Sequence, residues 1–200
     1  MQLQAEQKIK QEEQQIINGC IEGKEKYHKI LYERYYGKML MVCMRYSKDR
    51  EEAKDVLHEG YIRVFKNLDQ YHFEGSFEGW IRKIMVNTSI NYFKRNNMRN
   101  ITDYVGDDIK DIEAGEYLVD VNNVLSEIAA KDLLSLIQQL PPAYKLVFNL
   151  HALEGNSHKE IAELLNITES TSRSNLTKAR SKLQQQITQL RKENNVIYAG

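Results

Sequence analysis

Aromatic, basic and amide side chains alternate over a short stretch in the middle of the chain, between Gly75 and Arg95. Aromatic rings can stack on unpaired bases and cations can hold phosphates, a combination that suits single-stranded nucleic acid. A glycine-bounded loop at the start of this stretch can also hold a flipped base. A place in the core remains the alternative for each ring taken singly. The candidate rings are Phe77, Trp80, Tyr92 and Phe93, the cations Lys83, Lys94 and Arg95, and the amides Asn87 and Asn91.

A second polar set follows a helix-turn-helix pattern nearer the carboxyl end. Ser157 and Glu160 predict a capping box at the start of a short helix. Asn166 suits a left-handed turn, and Thr168 suits the cap of the next helix. In a helix-turn-helix protein, residues near the start of the second helix reach base edges in the major groove. The alternative interpretation of the pattern is a helical hairpin inside a bundle. The side chains left for a partner are Thr171, Arg173, Ser174, Thr177, Lys178 and Arg180.

A third candidate surface is the polar face of a helix predicted to begin at Asp49, with Glu52 as its capping-box partner. Apolar residues recur at steps of three and four through residues 53–68, which buries one face of this helix. Ile62 is an apolar side chain on the opposite, charged face. A single exposed isoleucine is ordinary, but one ringed by charges also suits an anchor for a partner protein. Its neighbours on this face are Asp55, His58, Glu59, Arg63 and Lys66.

The charges are balanced overall and segregated along the chain. The 28 basic and 28 acidic residues give a formal net charge of zero, which excludes a globally basic nucleic-acid coat. Residues 80–99 carry five bases and no acid, residues 103–120 carry seven acids and one base, and residues 169–183 carry four bases and one acid. This pattern fits two nucleic-acid surfaces joined by an acidic linker, with solvated helix faces and a loop as the alternative.

No set of residues in the sequence predicts an enzyme. Neither a carboxylate cluster nor a zinc-ligand set occurs at suitable spacing, and there is no phosphate-binding glycine loop. We therefore expect no catalytic residue, no metal and no cofactor. Cys20 and Cys43 are expected to be buried apolar residues. Since no apolar run has the length of a membrane span or the character of a signal peptide, we expect a cytoplasmic protein.

The elements that must position these residues are all predicted to be helices. The only two prolines, Pro141 and Pro142, are adjacent, and together they end one helix and open another. Residues 1–15 are expected to be a frayed helix or a tail. We predict an all-α protein with two helical domains, residues 1–98 and 124–200, joined by a flexible acidic linker at residues 99–123.

Four strings of sequence carry a resemblance to a known family, and they follow one another across nearly the whole chain. By their order and spacing the protein resembles the extracytoplasmic-function (ECF) sigma factors of bacterial RNA polymerase, which belong to the sigma-70 family. The residues of these strings resemble those of family members from Bacteroidetes. The strings are GCIEGKEKYHKILYERYYGKMLMVCMRYSKD, EAKDVLHEGYIRVFKNLDQY, GSFEGWIRKIMVNTSINYFKR and LPPAYKLVFNLHALEGNSHKEIAELLNITESTSRSNLTKARSKL.

The resemblance implies a role for each of the three surfaces. Sigma region two docks on the clamp helices of the polymerase, and its docking residues match Asp55, His58, Glu59, Ile62 and Arg63. The same region melts DNA at the minus-ten element through positions that match Ser76, Phe77, Trp80, Lys83, Asn87, Asn91, Tyr92, Lys94 and Arg95. Sigma region four binds the minus-thirty-five element through positions that match Thr168, Thr171, Arg173, Ser174, Thr177, Lys178 and Arg180.

The resemblance also implies the partners and the function. The helix of residues 144–153 is expected to lie against the polymerase flap, and the acidic linker is expected to pass through a basic channel of the polymerase. The expected function is that of a transcription initiation factor that binds core RNA polymerase and promoter DNA. An anti-sigma factor is the expected regulator, and insertion in a membrane is not expected.

Three positions depart from the family's commoner residues. His58 stands where many members carry Gln, and Asn166 stands where a turn glycine is commoner. Ser172 stands where many members carry Val, which predicts looser packing of the second helix of the motif. His151 and His158 are expected to be surface residues rather than metal ligands.

A conventional helix-turn-helix regulator is the second hypothesis. It would use residues 1–120 as a sensor or dimerisation domain and would bind a palindromic operator alone. The segment from Gly75 to Arg95 speaks against it, because a protein that reads only duplex DNA has no need of stacking rings beside a cationic helix.

Overall fold

The computed structural model describes residues 2–103 and 130–198, and within these ranges all regular structure is helical. The chain divides into two compact units, Met1–Tyr92 and Phe93–Gly200. The first unit holds α1 (Gln2–Ile21), α2 (Glu25–Met44), α3 (Arg50–Lys66), a 3-10 turn (Leu68–Gln70) and most of α4 (Phe77–Asp103). The second holds α5 (Ala130–Gln138), α6 (Pro142–Phe148), a π-helical turn (Asn149–Leu153), α7 (His158–Leu165) and α8 (Glu169–Tyr198).

Local capping chemistry sets several of the helix starts that the sequence predicts. Asp49 has extended backbone, and its carboxylate accepts a hydrogen bond from the main-chain N–H of Glu52 at 2.8 Å. Ser157 and Glu160 form the full, reciprocal capping box at the start of α7. Pro142 is the first residue of α6, as the proline pair predicts.

The core of the first unit forms where the apolar faces of its helices meet. The interior includes large side chains that are less than 2% exposed, among them Leu31, Leu57 and Met85. The Met85 side chain of α4 packs directly on Gly60 of α3, where a Cβ atom would lie 2.3 Å from the Met85 sulfur. A larger residue in the middle of α3 would therefore require the buried Met85 side chain to move, which favours glycine there despite its poor helix propensity.

The core of the second unit lies between α6, α7 and α8. Leu146, Ile161 and Leu183 are fully buried in it. The turn between α7 and α8 is closed by Asn166, whose backbone is left-handed at φ 56° and ψ 48°, a conformation that Asn tolerates better than most residues. Thr168 then caps α8 by accepting a hydrogen bond from the Thr171 N–H at 3.0 Å. The helix-turn-helix that the sequence predicts is present.

Two helices extend beyond what the sequence pattern predicts. The first is α1, which begins at Gln2, so most of the segment expected to be a frayed helix or a tail is helical. The Glu13 carboxylate of α1 accepts a hydrogen bond from the Tyr35 hydroxyl of α2 at 2.6 Å. The second is α4, which continues to Asp103, past the predicted start of the linker at 99; no proline or glycine stands between Trp80 and Asp103 to end it. The rest of the predicted linker, 104–123, and residues 124–129 lie outside the described residues.

Phe77, which the resemblance matches to a minus-ten contact, lies in the core, the alternative that the sequence leaves open for each ring. The side chain is 1% exposed. Its ring packs against Tyr71 at 4.9 Å, Tyr35 at 5.7 Å and Trp80 at 5.8 Å between centroids. Stacking on a base would take this ring out of the core, so Phe77 positions the start of α4 from inside the protein.

We expect Phe77→Ala to lower the free energy of unfolding by about 3–5 kcal/mol, because it leaves a cavity in a packed core. Phe73→Ala is the matched control, since Phe73 is 45% exposed and a surface change of this kind costs about 0.5 kcal/mol. Urea unfolding followed by Trp80 fluorescence measures both. Similar losses in the two variants would contradict the placement of Phe77 in the core.

Candidate nucleic-acid interface

The outward face of α3 brings together the residues predicted to bind a protein partner. Asp55, His58 and Ile62 are exposed, and the Ile62 side chain reaches 68% exposure. Glu59 and Arg63 are half-buried on the same face and form an ion pair at 2.7 Å. Because the opposite face of α3 is buried in the core of the first unit, the core holds this surface in place. That it binds polymerase stays a prediction.

The loop before α4 is built around stacked rings. The Tyr71 hydroxyl donates to the main-chain carbonyl of Gly75 at 3.0 Å, which ties the ends of the loop together. Phe73 has a positive φ of 60°, a strained conformation for an aromatic residue, and its ring is exposed. The Ser76 hydroxyl is exposed and accepts from the Gly79 N–H at 3.3 Å, so it acts as the cap of α4. Trp80 is half-buried and lies parallel to Phe77.

One side of α4 presents an exposed polar stripe. Lys83, Asn87, Asn91 and Arg95 are all exposed, and their spacing of four residues places them on one face over about 18 Å. The neighbouring predicted contacts are less accessible. Tyr92 and Lys94 are half-buried, and Phe93 is buried. The Lys94 ammonium donates a hydrogen bond to the main-chain carbonyl of Leu164.

The second helix of the helix-turn-helix, α8, presents the other predicted polar set. Arg173, Ser174, Thr177 and Arg180 are exposed, as is Thr168 at its cap. Thr171 and Lys178 are half-buried.

Internal contacts hold two of the basic side chains of α8. Arg173 forms an ion pair with Glu169 at 2.9 Å. The Lys178 ammonium lies 5.9 Å above the centre of the Tyr144 ring, at the outer limit of a cation–π contact. Because most of this set is exposed, the start of α8 displays hydroxyls and cations together. Such a set can read base edges and hold phosphates.

A histidine pair beside α8 is the feature that sequence reasoning missed. The rings of His151 and His158 are half-exposed and stacked, with centroids 4.5 Å apart and planes 12° from parallel. His158 Nδ1 lies 2.9 Å from the Ser172 hydroxyl, which is fully buried. The spacing of residues 151, 158 and 172 does not predict these two contacts, because they join three separate elements, the π-helical turn, α7 and α8.

The surroundings of His158 favour its neutral form. Burial lowers its pKa from the ordinary value of 6.5, and the nearby His151, Arg173 and Arg180 lower it further, against a smaller opposing effect of Glu169. Glu160, in the capping box, also has a lowered pKa, because the Ser157 N–H and hydroxyl bond to its carboxylate.

The residues that the structure describes also bear on metal binding, thiol reactivity and passage through a membrane. No group of three or more His, Cys, Asp or Glu residues there could hold a metal ion. Cys20 and Cys43 are free and buried, and burial raises their thiol pKa values to about 11 and about 12. Over the same residues, no helix combines the length and the apolar character needed to cross a membrane.

Two family models match this sequence. The model for Sigma-70 region 2 matches residues 31–99, and the model for Sigma-70, region 4 matches residues 130–183. Together they cover more than half of the chain. The first match spans the α3 face and the α4 stripe, and the second spans the helix-turn-helix.

Relatives similar to this chain include two bacterial sigma factors. The ECF RNA polymerase sigma-E factor of Haemophilus influenzae is 28% identical over 180 residues, which are 88% of this chain and 95% of the relative. The RNA polymerase sigma-H factor of Pseudomonas aeruginosa is 25% identical over 188 residues, 92% of this chain and 97% of the relative. A solved structure of the sigma factor RpoE in complex with the anti-sigma factor NepR from Bartonella quintana is 16% identical, covers 78% of this chain and 94% of that chain, and superposes with a TM-score of 0.45.

We expect acidification to weaken the fold around His158. Its pKa is lowered in the folded protein and ordinary in the unfolded chain. Between these two values only the unfolded chain takes up the proton, so the free energy of unfolding falls as the pH drops through about 6.5 and levels off below the folded pKa. Thermal unfolding at neutral and mildly acidic pH should show a larger fall for the natural protein than for His158→Gln. An equal fall would contradict this.

Proposed function

The protein belongs to the sigma-70 family and is a transcription initiation sigma factor, and we propose that its described surfaces divide the work of binding core RNA polymerase and opening promoter DNA. The observation that carries this proposal is the presence of both matched regions, each with a helix that displays a polar and basic face outward. The two domains are taken as residues 1–98 and 124–200, with the linker between them.

The α3 face is the proposed docking surface for the polymerase clamp helices. A protein anchor needs an apolar side chain that becomes desolvated on binding and charged neighbours that exclude water around it. Ile62 supplies the apolar group at 68% exposure. The charges around it are both acidic and basic, which fits a protein surface better than a nucleic acid. The docking set is Asp55, His58, Glu59, Ile62 and Arg63.

The loop before α4 and the α4 stripe are the proposed minus-ten site. Lys83 and Arg95 would hold phosphates at the two ends of the stripe, and Asn87 and Asn91 would bond to base edges between them. Trp80 and Tyr92 are the rings left for stacking, because Phe77 and Phe93 are buried. Trapping unpaired bases here would drive strand separation through binding energy, with no covalent step.

The start of α8 is the proposed reader of the minus-thirty-five element. Helix-turn-helix proteins place this part of the second helix in the major groove. Ser174 and Thr177 would reach base edges, and Arg173, Lys178 and Arg180 would hold phosphates or guanine. Since the net charge of the chain is zero, affinity for duplex DNA should come from these local contacts and should be weak without polymerase.

The resemblance extends the proposal to finer points. We assign the protein to the ECF group and to a Bacteroidetes-like branch of it, with an anti-sigma factor as regulator. Residues 144–153 would contact the polymerase flap. We further propose that it works in the cytoplasm and has no catalytic activity of its own.

Run-off transcription tests the function directly. The protein would be added to sigma-free core polymerase, ideally from a Bacteroidetes species, on fragmented genomic DNA. We expect discrete new start sites that depend on the protein and share two upstream elements. The second hypothesis, a conventional regulator, predicts no new starts and instead a shift of duplex DNA by the protein alone at moderate salt. That result would overturn the proposal.

Ile62→Ala should weaken binding to core polymerase by at least about fivefold, because the α3 face loses its apolar anchor. Ile21→Ala is the matched control, since it makes the same change at an isoleucine that is 51% exposed at the end of α1. Titration of labelled protein with core polymerase, followed by fluorescence anisotropy, measures both. Full affinity in Ile62→Ala would remove the α3 face as the docking surface.

A further inference from the structure

The contact between His158 and Ser172 joins the two helices of the helix-turn-helix. His158 is the first residue of α7, and Ser172 lies in the first turns of α8, fourteen positions along the chain. Ser172 is 0% exposed, so water cannot solvate its hydroxyl. A buried hydroxyl needs a hydrogen-bond partner, and His158 Nδ1 supplies one from the other helix at 2.9 Å.

His151 packs against the face of the His158 ring. A carbonyl oxygen only accepts hydrogen bonds, so the 2.9 Å contact between His151 Nδ1 and the Asn156 carbonyl requires His151 Nδ1 to be the donor. This bond orients the His151 ring, which stacks on the His158 ring with planes 12° apart. The imidazole of His158 is therefore held on its face by one element and at Nδ1 by another.

The position of this contact along α8 gives it a consequence for DNA binding. Arg173 and Ser174 follow Ser172 directly and are exposed. A bond at Ser172 therefore sets how deeply the first turns of α8 sit against α7, and with it the placement of the residues proposed to enter the major groove. Misplacement of a binding constellation by about 1 Å is enough to weaken it.

We propose that His158 is a positioning residue for minus-thirty-five recognition, which acts through the hydrogen bond of its Nδ1 to the buried hydroxyl of Ser172. This inference rests on the proposed function of α8. His158 does not itself contact DNA in this account. Its imidazole holds the start of α8 at the depth that base recognition requires.

Two variants of the full chain separate the hydrogen bond from mere occupancy of the site. The amide of His158→Asn falls near the place of Nδ1, whereas the longer side chain of His158→Gln puts its amide nearer Nε2. Each variant would be bound to core polymerase and assayed on a promoter with both elements and on one with the minus-thirty-five element replaced. The ratio of the two transcription rates is the readout, taken at a temperature where both variants are folded.

We expect His158→Gln to lower this ratio about two- to tenfold, the effect of one hydrogen bond, and His158→Asn to stay within about twofold of the natural protein. A ratio in His158→Gln equal to that of the natural protein would overturn the inference. So would an equal loss in both variants, because a general loss of stability does not depend on where the amide falls. Core binding serves as the control and should not change.

A double-mutant cycle with Ser172→Ala gives a second measurement that needs no DNA. If the bond is the link, His158→Gln should lower the thermal unfolding midpoint in the natural background and have little further effect in the Ser172→Ala background. Fully additive effects would overturn the inference. Failure of the natural protein to initiate transcription would instead overturn the proposed function, and the cycle would still report on the bond.

Discussion

Burial of one apolar face on each helix is the constraint on which both units depend. Most of the stability of a helix in a protein comes from packing of its apolar face rather than from intrinsic propensity, so each helix here depends on its neighbours. The same constraint makes the function possible, because burying one face fixes which residues the other face presents. The charged face of α3, the polar stripe of α4 and the start of α8 are all outer sides of helices whose inner sides are core.

A chain without net charge can still work on a polyanion if its charges are placed locally. Five bases fall in residues 80–99 and four in residues 169–183, and seven acids stand between these two segments, in residues 103–120. Such an arrangement gives little general attraction to DNA and leaves affinity to contacts made when several surfaces act together. For an initiation factor this is useful, because DNA binding then depends on the polymerase that brings those surfaces to one promoter.

The sequence predicts what is local and misses what is not. The cap at Asp49, the capping box at Ser157 and the left-handed turn at Asn166 were all predictable, because neighbours within four residues determine them. Phe77 stayed open between a DNA contact and the core, because a ring at the first turn of a helix can face either way and only contacts with distant rings decide between them. The bond between His158 and Ser172 was out of reach, and the residue expected to loosen α8 turns out to be bonded to α7.

The π-helical turn Asn149–Leu153 follows α6 directly and carries His151. Such a turn accommodates one residue more than an α-helical turn, and one residue corresponds to about 100° of rotation around a helix axis. Loss of a single residue there could leave the helix continuous while turning the His151 ring away from its neighbour. The number of residues between Pro142 and Gly155 is therefore as much a part of this motif as their identity, and relatives that differ in length here should not share the stacked pair.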